Sequence, residues 1–276
     1  MKRRVILLAV SILMSALGLA HAQGEVHGLI DVTFQSMYIW RGFRVYDNKA
    51  AIQAAIDLDL FSTGWGVSTM MHRANSSGFE DFERWDYSLY YYNQLFRDEP
   101  YATDYRISWV YHNFPEWRSD ELGLQELNGI FSWPKLCRIK GLVPTYVAAK
   151  MWSSSSDSLV SRKYDLTTGH ISSGSPSGWF HILMLDYALP IKGLVPEIPE
   201  HKINLHAELV YNDGVGPLGQ NVAHDWSNAV FGISTDINLG KNFIFTPAWY
   251  YQITMEDTID PKGDENWVSL SLKYKF

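Results

Sequence analysis

Ionisable side chains recur two residues apart in stretches whose intervening positions are apolar: Asp57 and Asp59, Asp104 and Arg106, His206 and Glu208. Asp31, Asp86, Lys150, Asp186, Asp236 and Lys273 hold like positions in other stretches of the same kind. On an extended strand residues i and i+2 share a face, so these groups line one surface together. Such a surface selects solutes by charge, or it closes on itself through ion pairs in which Asp104 and Arg106 are neutralised by neighbours. Both readings stand at this point. Aspartates outnumber cations in the set, so a conducting path lined by it favours cations or neutral polar solutes.

Catalysis has less to work with. His72, His112 and His206 are candidate bases, and Ser88, Ser108 and Ser234 candidate nucleophiles. A nucleophile needs its base within hydrogen-bond reach, and neither a Gly-x-Ser-x-Gly elbow nor a His-Glu-x-x-His pair occurs. The expectation is a protein that is not an enzyme. Asp257, Asp260, Asp264 and Glu265 could offer oxygens to a divalent cation. Their spacing fits no EF-hand loop, so the plainer reading is a solvated acidic loop, and no metal or cofactor is expected. Cys137 is the only cysteine, which excludes an intrachain disulfide.

The elements that carry these residues alternate with a period of two. Val268, Leu270, Leu272, Tyr274 and Phe276 interleave with Ser269, Ser271, Lys273 and Lys275. The same pattern places strands at 26–40, 50–61, 64–72, 84–96, 101–112, 178–189, 202–212, 227–238, 242–254 and 267–276. Two further strands, 122–133 and 142–152, have weaker phase. In 26–40 the apolar face comprises Ile30, Val32, Phe34, Tyr38 and Trp40, opposite Asp31, Thr33 and Gln35. Three of the five joints on one side (62–63, 97–100, 239–241) are tight, and 134–141 and 190–201 are longer. All six joints on the other side are longer, up to 153–177. This asymmetry, with an even strand number and both termini on one side, predicts an all-β fold: a transmembrane antiparallel β-barrel of about twelve strands with short periplasmic turns and longer extracellular loops. The phase turns the ionisable set into a lumen lining: Arg41, Asp57, Asp59, Asp86, Asp104, Arg106, His206, Glu208, Asp236 and Lys273. Pro247 falls mid-strand, where a missing ladder donor predicts a bulge or a shifted boundary. The hexapeptide Ile-Lys-Gly-Leu-Val-Pro occurs at Ile139–Pro144 and Ile191–Pro196, at two predicted periplasmic joints.

The chain opens with Met1-Lys2-Arg3-Arg4, an apolar run to Ala20, and Ala20-His21-Ala22. This is the form of a signal peptide over 1–22, cut after Ala22, leaving 23–276 as the barrel. Removing one Lys and two Arg takes the formal charge from −7 to −10, and without a basic stripe nucleic acid is not expected as a partner. Aromatics reach 14% against 19% charged residues, a balance suited to aromatic girdles at two membrane interfaces.

Two resemblances add to this. The ending Val268–Phe276 resembles the C-terminal assembly signal of bacterial outer-membrane barrels, which implies insertion by the barrel-assembly machinery. Ser36-Met37-Tyr38-Ile39-Trp40-Arg41-Gly42-Phe43 is similar to the Asp-Tyr-x-Phe-Arg-Gly-x segment of the Gcw_chp family of Gram-negative exported proteins. Ala51-Ile52-Gln53-Ala54 and Gly64-Trp65-Gly66 continue the likeness; Ser-Met stands here for the usual Asp, and Trp for Phe. The resemblance implies an exported architecture and singles out Arg41 and Gly42 at the outer end of the first strand. There Arg41 is expected to pair with a lumen acid such as Asp57 or Asp59. The expected location is the cell outer membrane, among outer-membrane lipid and lipopolysaccharide. The expected function is a narrow or gated channel for small polar or cationic solutes. The alternatives are a closed structural or surface-interaction barrel, working through the 153–177 loop, and an outer-membrane hydrolase.

Overall fold

Apolar residues at every second position give each strand one face that suits hydrocarbon, and a lipid layer leaves no room for an open sheet edge. The computed structural model describes residues 25–117, 123–154, 162–164, 171–173, 177–195, 198–216, 222–260 and 263–276. The predicted signal peptide and most of the 153–177 loop, including Ser155–Ser158, lie outside the described residues. Twelve strands form the wall: β1 His27–Gln35, β2 Ala51–Asp59, β3 Trp65–Ala74, β4 Arg84–Leu95, β5 Thr103–Asn113, β6 Gly123–Ser132, β7 Leu142–Ser153, β8 Ser177–Val195, β9 Ile198–Asp213, β10 His224–Thr235, β11 Phe243–Thr254 and β12 Glu265–Lys275. Each pairs antiparallel with its sequence neighbours, and β12 returns to β1 from Leu29↔Lys275 to Gln35↔Ser269. The sheet is closed. Ile30, Val32, Leu183, Phe231 and Trp249 are exposed on the outside, while Asp31, Asp57 and Ser271 face the lumen.

The closing seam explains the last residue. Gly28 and Phe276 exchange backbone hydrogen bonds (Gly28 N–H to Phe276 O, 2.9 Å; Phe276 N–H to Gly28 O, 3.0 Å). The Phe276 ring lies where a Cβ on residue 28 would stand, so only glycine lets the terminal aromatic cover the joint.

One rim carries the start of β1, the end of β12 and the strand ends joined through 60–64, 96–102, 133–141, 196–197 and 241–242. The other carries the strand ends joined through 36–50, 75–83, 114–122, 154–176, 214–223 and 255–264. We call these the terminal rim and the loop rim.

Three expectations need correction. The first strand ends at Gln35 rather than residue 40, and Ile39–Trp40 pairs with Phe43–Arg44 as a separate hairpin. Tyr38, expected to face lipid, is 3% exposed. Alternation reports extended backbone, and an inward-folded hairpin is extended too. The joint placed at 190–201 is largely strand: β8 runs on to Val195 and β9 begins at Ile198, so the second Ile-Lys-Gly-Leu-Val stretch belongs to β8. Pairing of β8 with β7 stops at Tyr187↔Leu142, whereas pairing with β9 runs on through Pro190↔Lys202. Beyond Ala188, whose amide still donates to the Gly141 carbonyl (3.0 Å), the strand has one neighbour, so Pro190 removes no needed donor. At Pro247 there is neither a bulge nor a shifted boundary. Register with β12 is unbroken through Pro247↔Leu270. On the β10 side pairing lapses after Ser234↔Ala248 and resumes in the same alignment at Ile237↔Phe245. Thr246 Oγ1 donates to Asp236 Oδ1 (2.5 Å) across the gap.

Candidate functional site

The hairpin is the central feature of the lumen. Arg41 (φ 49°) and Gly42 (φ 94°) both adopt left-handed backbone between paired Trp40 and Phe43, as a two-residue type I′ turn requires. Arginine is a costly choice there, since left-handed backbone is unfavourable for a residue with a Cβ. Its side chain supplies the reason. Arg41 Nη1 and Nη2 each donate to one carboxylate oxygen of Glu126, both at 2.8 Å, and Glu126 is 2% exposed. The Arg41 guanidinium also lies 4.6 Å over the Trp40 ring and 4.5 Å over that of Phe180. Arg44 pairs with Asp260 and with Glu265 (3.0 Å), and Gln252 Nε2 donates to the Gly42 carbonyl (3.0 Å). The hairpin thus reaches β6, β11, β12 and the last loop across the lumen.

Beside this seat lies a charged cluster on β3 to β6. Asp86 accepts from His72 Nε2 (2.9 Å) and His112 Nδ1 (2.6 Å), and pairs with Arg84 Nε (2.9 Å). Nε2 of His112 stands 3.7 Å from Glu126, which links the cluster to Arg41. Segment 45–50 closes over it: the Tyr46 hydroxyl donates to the His72 carbonyl (2.8 Å). Burial raises both the Tyr38 and the Tyr46 hydroxyl above the ordinary phenol value, so both keep their protons; Tyr46 donates, while the Tyr38 oxygen accepts from Arg84 Nη2 (3.2 Å).

Apolar packing fills the loop-rim half. Phe43 from the hairpin shares one buried apolar cluster with Leu124, Met151 and Phe180 from the wall and Val215 and Ile259 from the loops. Trp40 meets the Phe180 ring edge-on at 5.5 Å. Each large apolar side chain buried this way contributes about 1.5–3 kcal/mol. A buried ion pair nets little against its desolvation. Seating therefore comes from Phe43 and Trp40, while Arg41–Glu126 fixes which way the turn faces.

The terminal-rim half is open. A cavity of about 690 Å³ at the mouth is bordered by Tyr92, Gln94, Asp104, Arg106 and Ser132. A second, of about 380 Å³, lies against the underside of the hairpin, and Ile130 borders both.

Each predicted lumen residue has a definite place. Arg106 pairs with Asp57 (3.5 Å), not Asp104, and lies 3.6 Å over the Tyr90 ring; Tyr90 also donates to Asp57. Asp59 accepts from Tyr92 (2.6 Å) and Asp104 from Gln94 (2.6 Å). His206 sits between Asp186 (2.7 Å) and Glu208 (3.8 Å). Lys273 stands opposite Asp31, near the terminal rim. Arg41 pairs with Glu126 instead of Asp57 or Asp59, because the inward turn carries it across the lumen, away from the wall strand they occupy. Lys150 is on the outer face, paired with Trp179 and 5.3 Å over its ring; weak phase in β7 had hidden its side. In the last loop Asp260 meets Arg44, and Asp264 accepts from Tyr251 Oη (2.7 Å) and the Thr254 amide (3.1 Å). Ser88, Ser108 and Ser234 form no hydrogen bond with His72, His112 or His206. Glu126 and Arg84 were missed, although both occupy inward positions.

Removing either Arg41 or Glu126 leaves a charge uncompensated. Arg41→Leu and Glu126→Leu are each expected to destabilise the purified barrel in a urea titration by about 3–5 kcal/mol, the usual cost of breaking a buried pair. The double variant is expected to lose much less than the sum, and additive losses would contradict the pairing.

The wall and its interior place the chain among known outer-membrane barrels by fold. The KdgM porin matches it with a TM-score of 0.51 at 9% identity, covering 90% of this chain and 99% of that one. The NanC porin matches with a TM-score of 0.51 at 13% identity, covering 90% and 100%. No protein-family model and no curated protein matches the sequence. At such identities the likeness concerns the fold, a closed twelve-stranded antiparallel barrel of outer-membrane type.

Proposed function

We propose that the protein is an outer-membrane channel, closed at rest by residues 36–50, that passes small polar or cationic solutes when the hairpin leaves its seat. The observation that carries this reading is a pair of cavities bordered in common by Ile130, one at the terminal-rim mouth and one against the underside of a hairpin tethered by ion pairs. A lumen meant only as a structural core needs no such cavity. Among the described residues, the hydrogen-bond donors to Asp59, Asp104 and Asp236 are the neutral Tyr92, Gln94 and Thr246, which supports a preference for cations over anions. The KdgM and NanC barrels, both porins by name, lend the channel reading support by analogy of fold.

Export and assembly belong to the same proposal. Residues 1–22 direct the chain out and are removed after Ala22. The terminal rim faces the periplasm, and the outward aromatics meet outer-membrane lipid and lipopolysaccharide. Val268, Leu270, Leu272, Tyr274 and Phe276 present the strand that the barrel-assembly machinery reads. The likeness of residues 36–66 to the Gcw_chp family fits such an exported barrel.

Two experiments test this. In planar bilayers the wild-type chain is expected to open rarely, and Arg41→Ala with Arg44→Ala to raise the open probability about a hundredfold, equivalent to a seat weakened by about 3 kcal/mol. Silence of both proteins under varied voltage and salt would defeat the channel reading. Deleting Phe276 is expected to lower insertion in cells several-fold while the purified chain still refolds in detergent. Equal insertion of truncated and full chains would contradict the assembly reading.

A further inference from the structure

The cavity under the hairpin has walls of unlike chemistry. Ile182 and Met184 make one side apolar. Tyr250 and Trp267, cross-strand partners on β11 and β12, stack at 5.2 Å and 19° to form an aromatic border. Glu208 and His206 on β9 complete the lining, with Asp186 behind the imidazole at 2.7 Å. Among the described residues the ionic neighbour of Glu208 is His206, at 3.8 Å. Even with the imidazole protonated, two carboxylates against one imidazolium leave a net charge of −1. Arg41 also borders the cavity, but both of its terminal nitrogens are committed to Glu126.

We propose that this cavity is a binding subsite for a small organic cation, an amine or quaternary ammonium with an aliphatic body, held between the Tyr250–Trp267 pair and the Glu208 carboxylate. The proposal deepens the channel reading by naming the solute class that stops beneath the gate. Size, shape and charge agree. A volume of about 380 Å³ lies at the small end of the range for ligand pockets, roughly 300–1,000 Å³. Aromatic rings attract cations, most strongly where water is scarce, and the aliphatic body packs against Ile182 and Met184. An anion would meet the carboxylates, and a neutral solute would leave the net charge of −1 on Asp186, His206 and Glu208 unanswered. A hydrated metal ion would gain nothing from the apolar side.

The test is calorimetric titration of the purified full-length barrel in detergent with choline, beside its neutral isostere 3,3-dimethyl-1-butanol and potassium chloride at matched ionic strength. Choline is expected to bind saturably, and the isostere and potassium to show no saturation. Glu208→Gln is expected to weaken choline at least tenfold, and Trp267→Leu to weaken it similarly. Both variants are first shown to be folded by their heat-dependent gel mobility; Trp267→Phe, which keeps a ring, guards against a packing defect and is expected to retain most of the affinity. No saturable choline binding, equal binding of the isostere, or full affinity in Glu208→Gln would each overturn the proposal. Binding is read without transport, so its failure leaves the channel reading standing. A silent bilayer with intact choline binding would defeat the channel and keep the site.

Discussion

The interior depends on one ion pair placed where the chain can least tolerate an error. Arg41 holds a left-handed turn position unsuited to its Cβ, and its guanidinium grips Glu126 through two bonds of 2.8 Å. With that turn fixed, Trp40 and Phe43 face the apolar half of the lumen, Arg44 reaches Asp260 and Glu265, and the Gly42 carbonyl meets Gln252. Turned the other way, the same hairpin would bury its arginines beside Leu124 and Met151, away from Glu126 and Asp260. The pair adds little net stability, but it determines the orientation in which the apolar contacts form.

This division of labour separates the lumen into two media. Toward the loop rim the barrel is packed like a soluble core. Toward the terminal rim its charges answer one another in ones and twos, as in Asp57 with Arg106 or Asp186 with His206 and Glu208, and leave space between them. The boundary between the media is the hairpin. Under the proposed channel reading, apolar burial favours the seated hairpin and the ion pairs set its orientation, and each 1.4 kcal/mol lost from the seat shifts the balance about tenfold.

Much of the wall was legible in the sequence because lipid on one side and lumen on the other impose a period of two. Strand number, closure through Val268–Phe276 and the unequal rims follow from that period and from joint lengths. The same period is what proposes the lumen set, and it put Lys150, which lies on the outer face beside Trp179, on the wrong side. The hairpin was not legible, because residues 36–44 alternate as a wall strand does, and nothing local shows that Gln35 is the last residue of the wall. Glu126 and Lys150 lay on β6 and β7, the two strands of weak phase. That weakness had a cause: Leu124, Val147 and Met151 are apolar and face inward, so both faces of these strands are apolar. A strand that loses its alternation inside an otherwise regular barrel marks where the lumen is filled. Arg41 and Gly42 were singled out by resemblance, but the partner of Arg41 lies 85 positions away along the chain, beyond what spacing can indicate.

Hydrogen exchange of the refolded barrel in lipid nanodiscs, resolved over residues 36–50, tests the central claim most directly. With the hairpin seated, the Val45 amide bonded to the Tyr38 carbonyl and the amides of the 39–44 turn are shielded from bulk water. They are predicted to exchange as slowly as those of β1 and β2. Exchange across 36–50 as fast as in the exposed 75–83 loop would show that the segment does not occupy the lumen, and would contradict the account.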